Sequence, residues 1–489
     1  MSGPDGILLI NWLLLFPFIA AAVIAAFPRI LRLLPAHERA AADAAPAATA
    51  VATLGLSLAV CAALGATIAR EGDVFADYLW TPDFFQFRLR LDALGLYALV
   101  AALATLMLAA LWAAVEGVRD HVRWAGLAAA AGAFIGVVLA ADLVLLYVFW
   151  ELAALALWVA LAPRHDPGRR FLTWSHAGGL SILAAILWVA VLGGETHVYG
   201  AGSGLLIHRL STVKWPALLL LIGVGVRLAL APAHVWLLDI GRGARGPWGL
   251  ALLGASVMVA GYAAVRLVFY LLPTYAAAAV AWLPLAAGLI TVAYGGAKAL
   301  FADDIRDGAS YVLVAAAGQI ALGIGLGMRG HADGLGGALA LLAALAVAAP
   351  LLAAGAPANA EASTWSDWRG RYRAAPVRGL ATIAAAWTLC GLPPLAGWWG
   401  QRAIVSAASD AGSAIAALAA LIAPALILAY GAKAAVVGFA RRAPTASTRE
   451  SPWRWSWIVG VILASAALGV ASGLWRPHLM NIANMLTGA

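Results

Sequence analysis

The sequence predicts an all-α, polytopic membrane protein of about fourteen transmembrane helices, and three observations carry that prediction. Of 489 residues, 64% are hydrophobic and only 11% are charged. Soluble domains carry roughly 25% charged residues, so this supply cannot coat the several soluble domains that such a length would imply. Apolar runs of about 20 residues, the length that crosses a ~30 Å hydrocarbon core, recur along the whole chain. The Lys and Arg residues between these runs alternate in density, as expected when basic residues hold cytoplasmic loops in place. The apolar content excludes disorder, and two cysteines exclude a disulfide scaffold. The net charge of +8 comes without the dense basic and aromatic interleaving of a nucleic-acid surface, and belongs to the loops.

Taken in order, the first run lies near 7–27. No basic residue precedes it, so it reads as a retained span and not a cleaved signal. Spans follow near 46–68 and 92–115. The next two, 124–141 and 142–163, abut, and Asp142 is their only punctuation. Then come 171–193, 216–238, 248–272, 276–300, 309–328, 334–355, 377–400, 412–440 and 455–475. Trp453, Trp455, Trp457 and Trp475 flank the last span as interfacial anchors. Cys61 and Cys390 lie inside apolar runs as small core residues. Loops after odd-numbered spans hold nineteen Lys or Arg, and loops after even-numbered spans together with the tail hold eight. That asymmetry puts the odd loops in the cytoplasm and both termini outside, in a bacterial inner membrane. The longest connections, 69–91, 194–215 and 356–376, have about 20 residues, which leaves no room for a nucleotide-binding or redox domain. No Walker A sequence, Rossmann fingerprint or cysteine cluster is present. The chain is therefore expected to carry no cofactor of its own, and to draw energy from an ion gradient or a partner.

Polar groups inside spans cost about 2.5–3.5 kcal/mol each on insertion scales, so each needs a reason. Glu151 and Arg227 fall mid-span. His234 and Asp239 follow Arg227 in the same segment, and Lys298 lies about a turn from the end of its helix. Arg266 and Lys433 lie nearer helix ends, where long side chains snorkel to the interface. His176, near the start of its span, reads as a hydrogen-bonded core histidine. Glu151 and Arg227 fit either a static ion pair joining two helices or a charge pair on an ion path. Pro232 in span seven and Pro393-Pro394 in span twelve interrupt their helices. Broken helices five spans apart point to inverted repeats with an ion site between them. The expected division is 1–123 (spans one to three), 124–272 (spans four to eight), 273–440 (spans nine to thirteen) and 441–489.

Several segments together resemble the antiporter-like membrane subunits of respiratory complex I, of Mrp-type cation/proton antiporters and of membrane-bound hydrogenases. They are Phe149-Trp150-Glu151-Leu152; the run from Arg227 through Pro232, His234 and Trp236 to Asp239; Ala299 to Arg306 with Ser310-Tyr311; and Gly391 to Gly397. The resemblance implies a fourteen-helix core and a half-channel. In it a glutamate on the fifth helix modulates a lysine on the broken seventh, and protons pass through the eighth helix to a Lys or Glu on the broken twelfth. Glu151 matches the glutamate and His234 the histidine after the break. Arg227 stands where the family has lysine, Val259 where the eighth helix often carries lysine, and Gln401 where the twelfth offers Lys or Glu. Arginine keeps its proton, with a pKa above about 12, so Arg227 acts as a fixed charge beside partners such as Glu151 and His234. Lys298 is the remaining basic candidate for the central position. The short tail after span fourteen matches the shorter family members, which lack a long lateral helix.

The resemblance implies a proton- or Na⁺-translocating subunit of a complex I-like or hydrogenase-like assembly. Its partners are sister membrane subunits, the lipid bilayer, and a peripheral redox or hydration module. Two alternatives stand beside it: a gradient-driven antiporter or inorganic-carbon uptake subunit, and a non-conducting structural paralogue, favoured by the substitutions at 227, 259 and 401.

Overall fold

The computed structural model describes residues 4–33, 43–78, 87–161, 166–193, 196, 198, 205–206, 208–243, 249–357, 363–441 and 451–488. Arg39, Arg164, Arg245, Arg442 and Arg449 of the loop-charge count lie outside the described residues. In chain order the helices are α1 (Pro4–Leu33), α2 (Ala45–Glu71), α3 (Ala93–Val115), α4 (His121–Leu139), α5 (Leu143–Leu161) and α6 (Asp166–Gly193). They continue with α7 (Leu210–Arg227), α8 (Val235–Gly243), α9 (Gly249–Phe269), α10 (Thr274–Val280), α11 (Trp282–Phe301) and α12 (Ile305–Gly327). The last six are α13 (Ala332–Gly355), α14 (Pro376–Cys390), α15 (Trp398–Asp410), α16 (Ala414–Gly438), α17 (Pro452–Val470) and α18 (Ser472–Thr487).

Thirteen segments among the described residues are long and apolar enough to cross a membrane. The fourteenth crossing is the pair α14 and α15, of 15 and 13 residues, each too short to span alone. Span twelve therefore runs on to Asp410 and not to 400, and Arg402 lies within it, because the Pro393-Pro394 break only interrupts the helix. Span seven is likewise longer than expected, α7 and α8 together covering 210–243 around Pro232. Both breaks pass through a cis peptide bond, Ala231–Pro232 and Pro393–Pro394.

Burial separates the helices into a centre and a rim. The apolar window of α12 is 100% buried and those of α9 and α13 are 94% buried, whereas that of α17 is only 22% buried. Small residues let the central helices meet closely. A Cβ at Gly288 would come within 2.8 Å of the Gly318 carbonyl, and one at Gly318 within 2.8 Å of the Val292 nitrogen, so α11 and α12 touch backbone to backbone.

Polar residues fix the helix starts. Asp142, fully buried, accepts from the Val144 and Leu145 amides at 2.8 and 3.3 Å and from Thr196 Oγ1 at 2.5 Å. A single capping carboxylate thus divides α4 from α5. Asp304 caps α12 in the same way, accepting from the Arg306 and Asp307 amides.

Two expectations need correction, and one connection carries structure of its own. The connection 69–91 contains an antiparallel hairpin, β1 (Val74–Tyr78) against β2 (Phe87–Leu91), with Val74 opposite Leu91. Arg266 does not snorkel. It is 1% exposed and holds Asp92 through two 2.6 Å bonds, with the Tyr262 hydroxyl at 2.9 Å. The depth of α9 in the bundle leaves it no route to an interface. Trp457 and Trp475 pack inward, on Trp112 and Trp399 at 4.8 and 5.6 Å between ring centroids, so only part of the tryptophan set is free to anchor. Lys433 on α16 donates to the Leu300 and Ala302 carbonyls at 2.8 and 2.9 Å and closes the C-terminus of α11.

Candidate functional site at the broken seventh span

Arg227 ends α7 where the helix unwinds. The Leu228 and Leu230 amides turn back onto the Val224 and Gly225 carbonyls, and Ala229 takes a positive φ of 59°, a conformation that a residue with a Cβ adopts only under constraint. The groups freed by the break are met from outside the helix, as backbone at membrane depth requires. The Ala231 amide donates to Thr291 Oγ1 at 2.9 Å, and Trp236 Nε1 donates to the Val226 carbonyl at 2.7 Å.

The Arg227 side chain is 2% exposed. Its guanidinium lies 4.5 Å from the Trp150 ring centroid and donates through Nη1 to the Trp150 carbonyl at 2.8 Å. Nε and Nη2 are buried without a protein partner among the described residues. Glu151, one residue after that carbonyl, acts on Arg227 through its field, but its own hydrogen bond goes elsewhere. Glu151 Oε2 lies 2.5 Å from Nδ1 of His176 on α6. Oε1 is buried without a protein partner among the described residues, facing Gly179, where a Cβ would overlap it.

This arrangement corrects two expectations. Glu151 and Arg227 are neighbours without a hydrogen-bonded ion pair, because the guanidinium reaches past the carboxylate to the backbone of the preceding residue. His176 is not a core histidine. Its side chain is 47% exposed, and it is the direct partner of Glu151, whose side chain is 17% exposed. The residues themselves carried one signal for this role, the adjacent Gly178 and Gly179, of which Gly179 opens space toward Glu151 on α5 and Gly178 lets α7 approach α6.

His234, after the break, is buried with Nδ1 unpartnered. Its ring packs edge-on to Tyr294 at 5.0 Å and lies 6.4 Å from Tyr311. Lys298 lies on the exposed side of this cluster, its Nζ 5.8 Å from the Tyr294 centroid. The cluster stands one layer beneath two ion pairs at the end of α8, Arg242 with Asp307 at 2.7 and 2.9 Å and Arg170 with Asp239 at 3.4 Å. The structure thus gathers His234, Tyr294, Tyr311 and Lys298 into one group, and Glu151, His176 and Arg227 into another.

Gln401 stands apart from both. It spans the second break, Nε2 donating to the Leu389 carbonyl at 2.7 Å with Oε1 buried and unpartnered. Gly391 turns this break at a φ of +77°, and a Cβ there would press on Gln401 Cγ at 2.6 Å. Between the breaks, Val259 is buried and apolar. On the central helices α9 and α12, Ser256 and Gln319 are buried, each with an oxygen that has no partner among the described residues.

The family profile described as NADH:quinone oxidoreductase/Mrp antiporter, TM, matches residues 140–426, a stretch that contains every candidate site residue from Glu151 to Gln401. The chain is 31% identical over 331 residues to NADH-quinone oxidoreductase subunit 14 of Thermus thermophilus, covering 66% of this chain and 74% of that relative. It is 28% identical over 256 residues to NAD(P)H-quinone oxidoreductase chain 4 2 of Thermosynechococcus vestitus, covering 50% of this chain and about half of the relative, 47%. Its fold is that of a chain of respiratory complex I from Thermus thermophilus, with a TM-score of 0.83, 21% identity and coverage of 98% and 99% of the two chains. A chain of the Mrp complex from Dietzia sp. DQ12-45-1b superposes with a TM-score of 0.82 at 17% identity, covering 99% of this chain and 98% of that one. A chain of an archaeal membrane-bound sulfane sulfur reductase also superposes at 0.82, with 15% identity and coverage of 98% and 97%. By fold and by sequence, the chain belongs to the transmembrane family shared by NADH:quinone oxidoreductases and Mrp antiporters.

Proposed function

We propose that this chain is the proton-translocating membrane subunit of a multisubunit, complex I-like or hydrogenase-like assembly, driven by chemistry on other chains. The observation that carries this reading is the pairing of a buried fixed charge, Arg227, with the ionisable Glu151 at a helix broken in mid-membrane. Charges so placed are costly, and mark ion paths when the backbone around them is open. Sister membrane subunits are its partners, together with a peripheral module that supplies energy. The loop charges favour both termini on the outer side of a bacterial inner membrane. Two repeats, 124–272 and 273–440, flanked by 1–123 and 441–489, belong to the same reading, supported by breaks five spans apart.

One observation favours the second reading, a non-conducting paralogue: Arg227, Val259 and Gln401 offer no titratable site between the two breaks. Proton flux through the isolated, reconstituted assembly separates the two. Arg227→Ala with assembly intact is expected to abolish most of the flux, since it removes the fixed positive charge beside Glu151 at the break. Full flux in that variant would leave Arg227 a structural tether.

A further inference from the structure

Resting on that reading, we infer that His176 is the group that loads protons onto Glu151, a titrating partner in a site whose basic residue is an arginine. The geometry is direct. Nδ1 lies 2.5 Å from Glu151 Oε2, and the imidazole side chain is 47% exposed while the carboxylate is 17% exposed. One edge of the ring is thus in contact with the carboxylate and the ring also reaches the surface of the chain. Gly179 leaves room for the carboxylate against α6.

Among the described residues α5, α7 and α8 make the main packing contacts on α6. From α5 come Glu151 and, one turn earlier, Tyr147. From α7 comes Arg227, already bound to the Trp150 carbonyl, with Lys214 against Trp215 near the helix start. From α8 come Asp239 and Arg242, engaged by Arg170 and Asp307. His176 and Glu151 are therefore the facing titratable pair. The guanidinium of Arg227 keeps its proton and can only bias that pair.

The step balances as a transfer through the ring. A proton adds to Nε2 and forms an N–H bond, the Nδ1–H bond breaks, and its proton passes to Glu151 Oε2. The products are a neutral imidazole protonated on Nε2 and a carboxylic acid whose Oε1 faces the interior. No oxidant or co-reactant is needed. Imidazole suits this task because its unperturbed titration falls between pH 5 and 8.

The test uses the whole assembly, with its sister subunits, reconstituted in liposomes. His176→Gln keeps a hydrogen-bonding amide without titration, and proton flux is expected to fall at least about tenfold with assembly unchanged. In His176→Ala, added imidazole is expected to restore flux in proportion to its concentration. Wild-type flux in His176→Gln, or an alanine variant that assembles and is indifferent to imidazole, overturns the proposal. The unmodified assembly gives an independent reading. With isotopically labelled histidine, infrared ring bands are expected to change together with the protonated-carboxyl band over one pH range, and a carboxyl band that changes while the ring bands stay fixed overturns it as well. Glu151→Gln is measured in parallel. Lost flux there, with wild-type flux in His176→Gln, refutes the role of His176 alone. Wild-type flux in both refutes the conduction reading itself.

Discussion

A guanidinium buried at 2% exposure with two nitrogens unpartnered is an expensive group to keep in a membrane, and its neighbours show what holds it. The Trp150 ring and carbonyl take one edge of Arg227, and the field of Glu151 takes the charge. Glu151 in turn is held between His176 and the bare backbone of Gly179. That close fit gives the first prediction. Gly179→Ala puts a methyl group where Oε1 stands, so the carboxylate must swing out of its place. Proton flux is expected to drop severalfold while the assembly still forms, measured against wild type at equal subunit content. Glu151 and Arg227 are legible from hydrophobic context alone, because charges in long apolar runs are conspicuous. The contact of His176 with Glu151 is not legible there, because it depends on the rotation of α5 against α6 across 25 residues of chain, which no spacing rule encodes.

Elements obey local rules where polar residues punctuate them, and depart from those rules where tertiary packing decides. Asp142 alone parts two abutting spans, and its three accepted hydrogen bonds explain how one residue suffices. The hairpin was legible too, since Phe87, Leu89 and Leu91 alternate with Arg88 and Arg90 at a period of two, but its short strands were hidden among longer apolar spans. Arg266 shows the opposite case. A cation near a helix end looks free to snorkel until the helix proves central, and then only a buried partner keeps it there. The Asp92–Arg266 pair ties the start of α3 to α9. Removing one member leaves an uncompensated buried charge, so Arg266→Ala is expected to cost about 3–5 kcal/mol. The measurement is thermal unfolding of the detergent-solubilised assembly. Replacement of both residues by apolar ones of similar volume is expected to recover much of that loss.

At the scale of the whole molecule, fourteen crossings arrange themselves by burial around α9, α12 and α13, which expose almost nothing, while the apolar windows of α2, α16 and α17 are mostly exposed. Apolar periodicity and loop charge were enough to count the crossings, since both follow from the bilayer itself. Which helices are central was not legible, because every span is apolar all round and small residues occur on all of them. The two polar groups, at the seventh span and at the His234–Tyr294–Tyr311 cluster, lie on either side of the same break, and the second break is spanned by the neutral Gln401. In the proposed function the first break carries the conducting chemistry, and Glu151 is its central residue. The measurement that tests this most directly is proton flux through the reconstituted assembly, comparing wild type, Glu151→Asp and Glu151→Gln at matched assembly. The account predicts at least about a tenfold loss in Glu151→Gln and partial retention in Glu151→Asp. Equal flux in all three would contradict it and leave the charges at the broken helix as structural.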